Sequence, residues 1–148
     1  MSDGGGQCPE CGAPQGPGQT CHDRFGRLLA GEAQDAELAA EHFLTVACFN
    51  LQHPAQFTDA ALDGLRAAFV DRVDRGTAVA ELRRRVGRVA AGSVRVLRPE
   101  AERRPVLRRW SMTVADVALP DCPDGAAARV RAWAASVRRE LAGCSPGT

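Results

Sequence analysis

The placement of cysteines constrains this chain more than any other feature. Cys8, Cys11 and Cys21 follow the spacing C-x2-C-x9-C within a stretch rich in Gly, Pro and Gln. Residues 1 to 20 hold too few apolar side chains to pack alone, so this head needs an added constraint to become ordered. A Cys-x2-Cys turn followed by glycine, here Cys8-Pro9-Glu10-Cys11-Gly12-Ala13, lets two thiolates point at one ion while backbone N–H groups support the sulfurs. Zinc asks for four tetrahedral sulfur or imidazole ligands. Cys21 supplies a third thiolate, placed where a helix begins and the positive end of its dipole favours ionised sulfur.

A chain of 148 residues fits one domain, spanning 1–148, with a cysteine segment at 1–21 and a helical body at 22–148. Mean hydropathy is -0.22 and no apolar run is long enough to span a bilayer, which excludes a membrane role. Met1 to Gly6 has neither a charged nor an apolar signal region, so the expected location is the cytoplasm. Thiols stay reduced there, and clustered cysteines favour metal over disulfide.

All 19 basic residues are arginine, while lysine, isoleucine and tyrosine are absent, as GC-rich coding would produce. Arginine abundance therefore says little by itself about nucleic acid. Its distribution says more: residues 1–63 are net acidic and residues 64–109 net basic.

Apolar periodicity predicts an all-α fold of roughly five helices. The first runs from His22 to Ala30 through Phe25, Leu28 and Leu29. A second spans Asp35 to Gln52, with Pro54 just beyond. Its Leu38, His42, Val46, Phe49 and His53 share one apolar stripe, and Glu41, Thr45, Cys48 and Gln52 lie on another side. Thr58 or Asp59 caps a third, with Leu62, Leu65, Phe69 and Val73 inward and Gly76 as its stop. Thr77 caps a fourth, with Val79, Leu82, Val86 and Val89 inward and Arg83, Arg84, Arg85 and Arg88 outward; the two make a helical hairpin. Ser93 to Leu97 alternates like a short strand, and the connection up to Pro123 is irregular and packs through Trp110. Within it, Met112 to Val117 reads as a helical turn or an extended piece. Asp124 caps the last helix, whose inner stripe is Val130, Trp133, Val137 and Leu141.

The fourth ligand has to come from His22, His42, Cys48 or His53. His22 directly follows Cys21 and would strain to share its ion. If the first two helices run antiparallel, Cys21 lies level with about residue 46, which favours His53 over His42. Eleven residues of straight helix span about 16 Å, so both histidines cannot bind one ion. The one left over is a core histidine or lines an active site. Cys122 and Cys144 carry no motif and read as packing residues or loop thiols.

With these residues in view, the chain resembles an uncharacterised bacterial family classed as a domain of unknown function. The resemblance rests on the Cys-Pro-x-Cys-Gly-Ala head at Cys8, on Cys21 before Phe25, Leu28 and Leu29, and on His42, Leu44, Thr45 and Val46. Gln52-His53-Pro54, Met112 to Val117 and Trp133-Ala134 extend it over most of the chain. It implies no assigned activity. The pattern does not ask for cysteine at position 48, and Ala55 stands where glycine often follows Gln-His-Pro.

The reading reached from the sequence is a cytoplasmic zinc-binding helical protein, with metal ligands Cys8, Cys11, Cys21 and one of His53 and His42. It would act as a binding or regulatory module toward an unidentified protein partner. Two alternatives stay open. One is a metal-dependent enzyme with a histidine-lined site, in which Asp116 or Glu41 serves as base. The other is nucleic-acid binding through the Arg-rich middle, where aromatic interleaving is lacking.

Overall fold

The computed structural model describes residues 6–91 and 95–143, leaving aside the side chains of residues 86–91. Seven α-helices lie within that range: α1 (Cys21–Gly31), α2 (Ala36–Ala40), α3 (His42–Gln52), α4 (Asp59–Arg75), α5 (Val79–Ala91), α6 (Val114–Val117) and α7 (Ala126–Gly143). The fold is all-α. Among the described residues, extended pairing is confined to two isolated bridges, Gln7 with Pro14 and Phe57 with Leu97. None of the described helices is long and apolar enough to cross a membrane.

Local signals set most of the boundaries. Thr20 caps α1 by accepting from the Asp23 N–H at 3.0 Å, and the Asp23 carboxylate returns the bond to the Thr20 N–H at 3.0 Å. Thr58 caps α4. Gly76, at φ +67, closes that helix in the left-handed conformation, its N–H bonded to the Arg72 and Asp71 carbonyls. α4 then packs on α5 as a pair. Thr113 and Asp116 form a second capping box that starts α6, resolving the Met112 to Val117 stretch into a short helical turn.

The expected second helix is two. It breaks at Glu41, whose φ of -98 and ψ of 15 leave the helical region, while its N–H falls back on the Leu38 and Ala39 carbonyls. No Gly or Pro marks the spot. Glu41 instead turns its carboxylate to Arg131 on α7 at 2.9 Å, and the Thr45 hydroxyl bonds back to the Glu41 carbonyl at 3.2 Å. The break means that Leu38 and His42 do not continue one stripe into α3.

α3 is the central element, packed against α1, α2, α4 and α7. It is therefore buried on several sides. Thr45, Cys48 and Gln52, expected away from the apolar stripe, are all fully buried, whereas His42 and Val46 are only partly covered. Burial pushes the Cys48 thiol well above its ordinary range. Gln52 stays satisfied because its Nε2 donates to the Met112 carbonyl at 2.8 Å and its Oε1 accepts from Trp133 Nε1 at 3.2 Å.

The last helix begins at Ala126, two residues past Asp124. The Arg129 N–H bonds to the Gly125 carbonyl at 3.1 Å, so the first turn closes on Gly125. Its stripe of Val130, Trp133, Val137 and Leu141 is buried as expected. The inward placement of Val86 and Val89, the outward one of Arg88 and the role of Cys144 fall outside the described residues; of the expected strand from Ser93 to Leu97, residues 95–97 are described and form the single bridge of Leu97 with Phe57.

Candidate metal centre

The head folds as a tight loop. The Cys8 N–H donates to the Ala13 carbonyl at 2.8 Å, the Gly12 N–H to the Cys8 carbonyl at 3.0 Å, and the Gln15 N–H to the Gly6 carbonyl at 3.0 Å. Gly12 sits at φ +80, a conformation that side chains with a Cβ rarely adopt. Replacing Gly12 with Ala is expected to lower stability by about 1–2 kcal/mol. A urea midpoint equal to wild type would contradict this.

The loop leans on three other parts of the chain. The Glu10 carboxylate accepts from the Ala55 N–H at 2.9 Å, just past His53 and Pro54. The Glu10 carbonyl accepts from the Arg108 N–H at 2.9 Å. The Gln15 side-chain carbonyl accepts from the Cys21 N–H at 3.0 Å. These contacts bring a Gly- and Pro-rich segment onto the end of α3 and the start of α1.

Cys8, Cys11, Cys21 and His53 converge there. One donor atom from each lies within 4.8 Å of every other, and all four residues are buried. Cys11 and Cys21 Sγ atoms are 3.6 Å apart. Zinc–sulfur bonds in a tetrahedron place the sulfurs about 3.7 Å apart. Cys21 is the first residue of α1, where the helix dipole favours thiolate.

His53 directly follows α3 and is held by one ring face and one nitrogen. Its ring stacks on Phe49 with centroids 4.2 Å apart, and Phe25 stacks on Phe49 at 4.0 Å. Nδ1 lies 2.7 Å from the Phe49 carbonyl. A carbonyl only accepts, so Nδ1 carries a proton, and in the neutral ring Nε2 is the nitrogen with the lone pair. Nε2 is buried and has no hydrogen-bond partner among the described residues.

The electrostatics fit a site meant for a cation. The hydrogen bond with Cys21 lowers the Cys11 thiol to about 4, and the same bond drives the Cys21 thiol far upward. Burial pulls His53 down, but the Cys11 sulfur and the Phe49 carbonyl outweigh it and the net direction is upward. The opposite directions of Cys11 and Cys21 reflect one buried space in which neighbouring thiolates would repel one another, a penalty that a bound divalent ion would remove.

The two histidines part as their spacing requires. His42 opens α3 and its Nδ1 sits 2.9 Å from the Glu32 carboxylate, outside the group of four. The antiparallel register differs from the expected one: α2 takes up part of the length, so Cys21 lies level with His53. His22 is exposed and tilts against Phe49 at 5.7 Å. Cys122 is an exposed loop thiol. Asp116 caps α6 and Glu41 pairs with Arg131, and neither belongs to the cluster. A groove of about 400 Å³ passes the outer side of the loop between Arg24, Arg109 and Trp110. Cys11 also borders it, but is itself only 1% exposed. Sequence reasoning missed Glu10 and Gln15, whose supporting bonds reach partners that no local pattern announces.

Fold and site together define an all-α domain with a buried Cys3His cluster able to hold a metal ion. The chain belongs to the family of unknown function DUF5946, which matches residues 6–142. No curated protein and no solved structure gives a significant match.

Proposed function

We propose that the chain is a cytoplasmic binding module whose head is fastened to its helical body by a structural zinc ion on Cys8, Cys11, Cys21 and His53. The observation that carries this is His53: Nδ1 is tied to a backbone carbonyl, and Nε2 is buried without a hydrogen-bond partner among the described residues, in a residue gathered with three cysteine sulfurs. Histidines that bind metal characteristically donate their other ring N–H in this way. Four protein donors complete a tetrahedron, so no position remains for substrate, and the site holds structure together rather than turning over. The metal-dependent enzyme would need an open position and a base beside it. Asp116 and Glu41 are already engaged elsewhere.

Metal analysis of purified wild type, His42→Ala and His53→Ala tests the reading. Wild type and His42→Ala should carry about one zinc per chain, and His53→Ala much less. The His42–Glu32 pair is partly exposed, so His42→Ala should change stability by less than about 1 kcal/mol. A metal-free wild type whose cysteines react freely with a thiol reagent would overturn the proposal. Visible absorption bands with matching iron content would replace zinc by an iron centre.

A further inference from the structure

Residues 103 to 110 run without helix, turn or bend across the surface. The sequence there is Arg-Arg-Pro-Val-Leu-Arg-Arg-Trp. Among the described residues, Arg108 supplies the one backbone N–H between 104 and 110 that has a protein partner, and none of the backbone carbonyls from 104 to 110 accepts a bond. The stretch is anchored at its C-terminal end by the Arg108 bond to Glu10 and by Arg108 lying 3.9 Å over the Trp110 ring. Upstream of that anchor it presents an open main-chain edge.

Its guanidinium groups are held by neutral oxygens alone: Arg103 donates to the Arg98 carbonyl, Arg104 to the Ala101 and Arg103 carbonyls, Arg108 to the Glu140 carbonyl and Arg109 to the Gln7 side chain. Val106 is 73% exposed and Leu107 46%, the former the most exposed large aliphatic residue among those described. Arg103, Arg104, Arg108 and Arg109 pair with no carboxylate among the described residues, whereas Arg75, Arg84, Arg85, Arg98, Arg131 and Arg138 all do. Unpaired strand edges are usually blunted or covered, because they template pairing with another chain.

We infer that residues 103–109 are a docking edge for an extended, acidic segment of a partner protein that carries alternating aliphatic side chains. The partner's main chain pairs with the open edge, its aliphatic face covers Val106, the more exposed of the two, and its carboxylates supply the charged acceptors that the four guanidinium groups lack. A nucleic acid would use the charge but leave the amide edge and both aliphatic side chains unserved. The one aromatic ring nearby is already covered by Arg108, so base stacking has no platform. The inference rests on the reading of the chain as a binding module.

The test is fluorescence anisotropy at low salt with the zinc-loaded protein and three probes. These are a short peptide alternating glutamate and valine, the same peptide N-methylated at alternate amides, and a single-stranded oligonucleotide of similar length. Saturable binding of the first is expected, with N-methylation and the double variant Arg104→Glu/Val106→Asp each weakening it by about tenfold or more. Absence of saturable binding, indifference to N-methylation, or tighter binding of the oligonucleotide would each overturn the inference. Helical content and zinc stoichiometry, read on the same samples, separate its failure from failure of the metal centre.

Discussion

Cys11→Ser is expected to release the metal and to lower the stability of the fold by about 4 kcal/mol or more at metal concentrations that saturate wild type. Cys11 is 1% exposed and touches Cys21, so its loss breaks the ligand set from inside. A ligand present at about a thousandfold over its dissociation constant adds about 4 kcal/mol to the folded state, and structural zinc sites reach higher. The head has few apolar contacts to fall back on. Metal content and the urea midpoint should fall together, and amides of residues 6–20 should lose exchange protection before those of α7. A variant that kept its midpoint while losing metal would show that the cluster does not hold the head in place.

Gln52→Leu should be the next most damaging change, at about 3 kcal/mol. Leucine fits the volume but strands two groups at once, the indole N–H of Trp133 and the carbonyl of Met112. Each buried polar group left without a partner costs about 1–3 kcal/mol. Gln52 and Trp133 are both fully buried, so water cannot take over the indole bond, while the Met112 carbonyl is partly covered. The pair also ties α3 to α7 and to the chain just before α6, and no second side chain is placed to substitute. A thermal unfolding midpoint within a degree or so of wild type would contradict this assignment.

Most of the architecture was legible because it is written locally. Thr58, Gly76 and the Val130-Trp133-Val137-Leu141 stripe are short-range signals, and the elements formed where those signals lie. The three clustered cysteines were legible for a similar reason: side chains able to hold a metal are few in type, and these lie close in spacing. What was hidden depends on distant partners. Glu41 breaks a continuous helical pattern to reach Arg131 ninety residues away. Gln52 looks like a surface residue until Trp133 and Met112 are placed beside it. α3 has neighbours on several sides, so an amphipathic reading that assigns one inner stripe was bound to misplace Thr45, Cys48 and Gln52. The sequence favoured His53 over His42 but kept both, because the break at Glu41, which interrupts the second helix, carries no local mark.

The charge pattern was legible only as an outline. The acidic first third and the basic middle meet through Arg98 and Asp59 at 2.8 Å. Most other ion pairs form within the basic middle or reach α7, as Arg84 with Glu81 and Arg138 with Asp74 illustrate. Codon bias had made the arginines look uniform, and structure separates those paired with neighbouring carboxylates from the rest, among them the group around Val106, which bonds to neutral oxygens alone.

The position of the cysteine loop also bears on how the protein is made. The loop leaves the ribosome before its fourth ligand, His53, and before Arg108, which covers Glu10 from outside. Its cysteines must therefore stay reduced and unassembled through the synthesis of α1, α2 and α3. Final closure of the metal centre follows the docking of distant chain rather than leading it. If the proposed metal site orders the head, a newly made protein without metal would form its helices before its head closes.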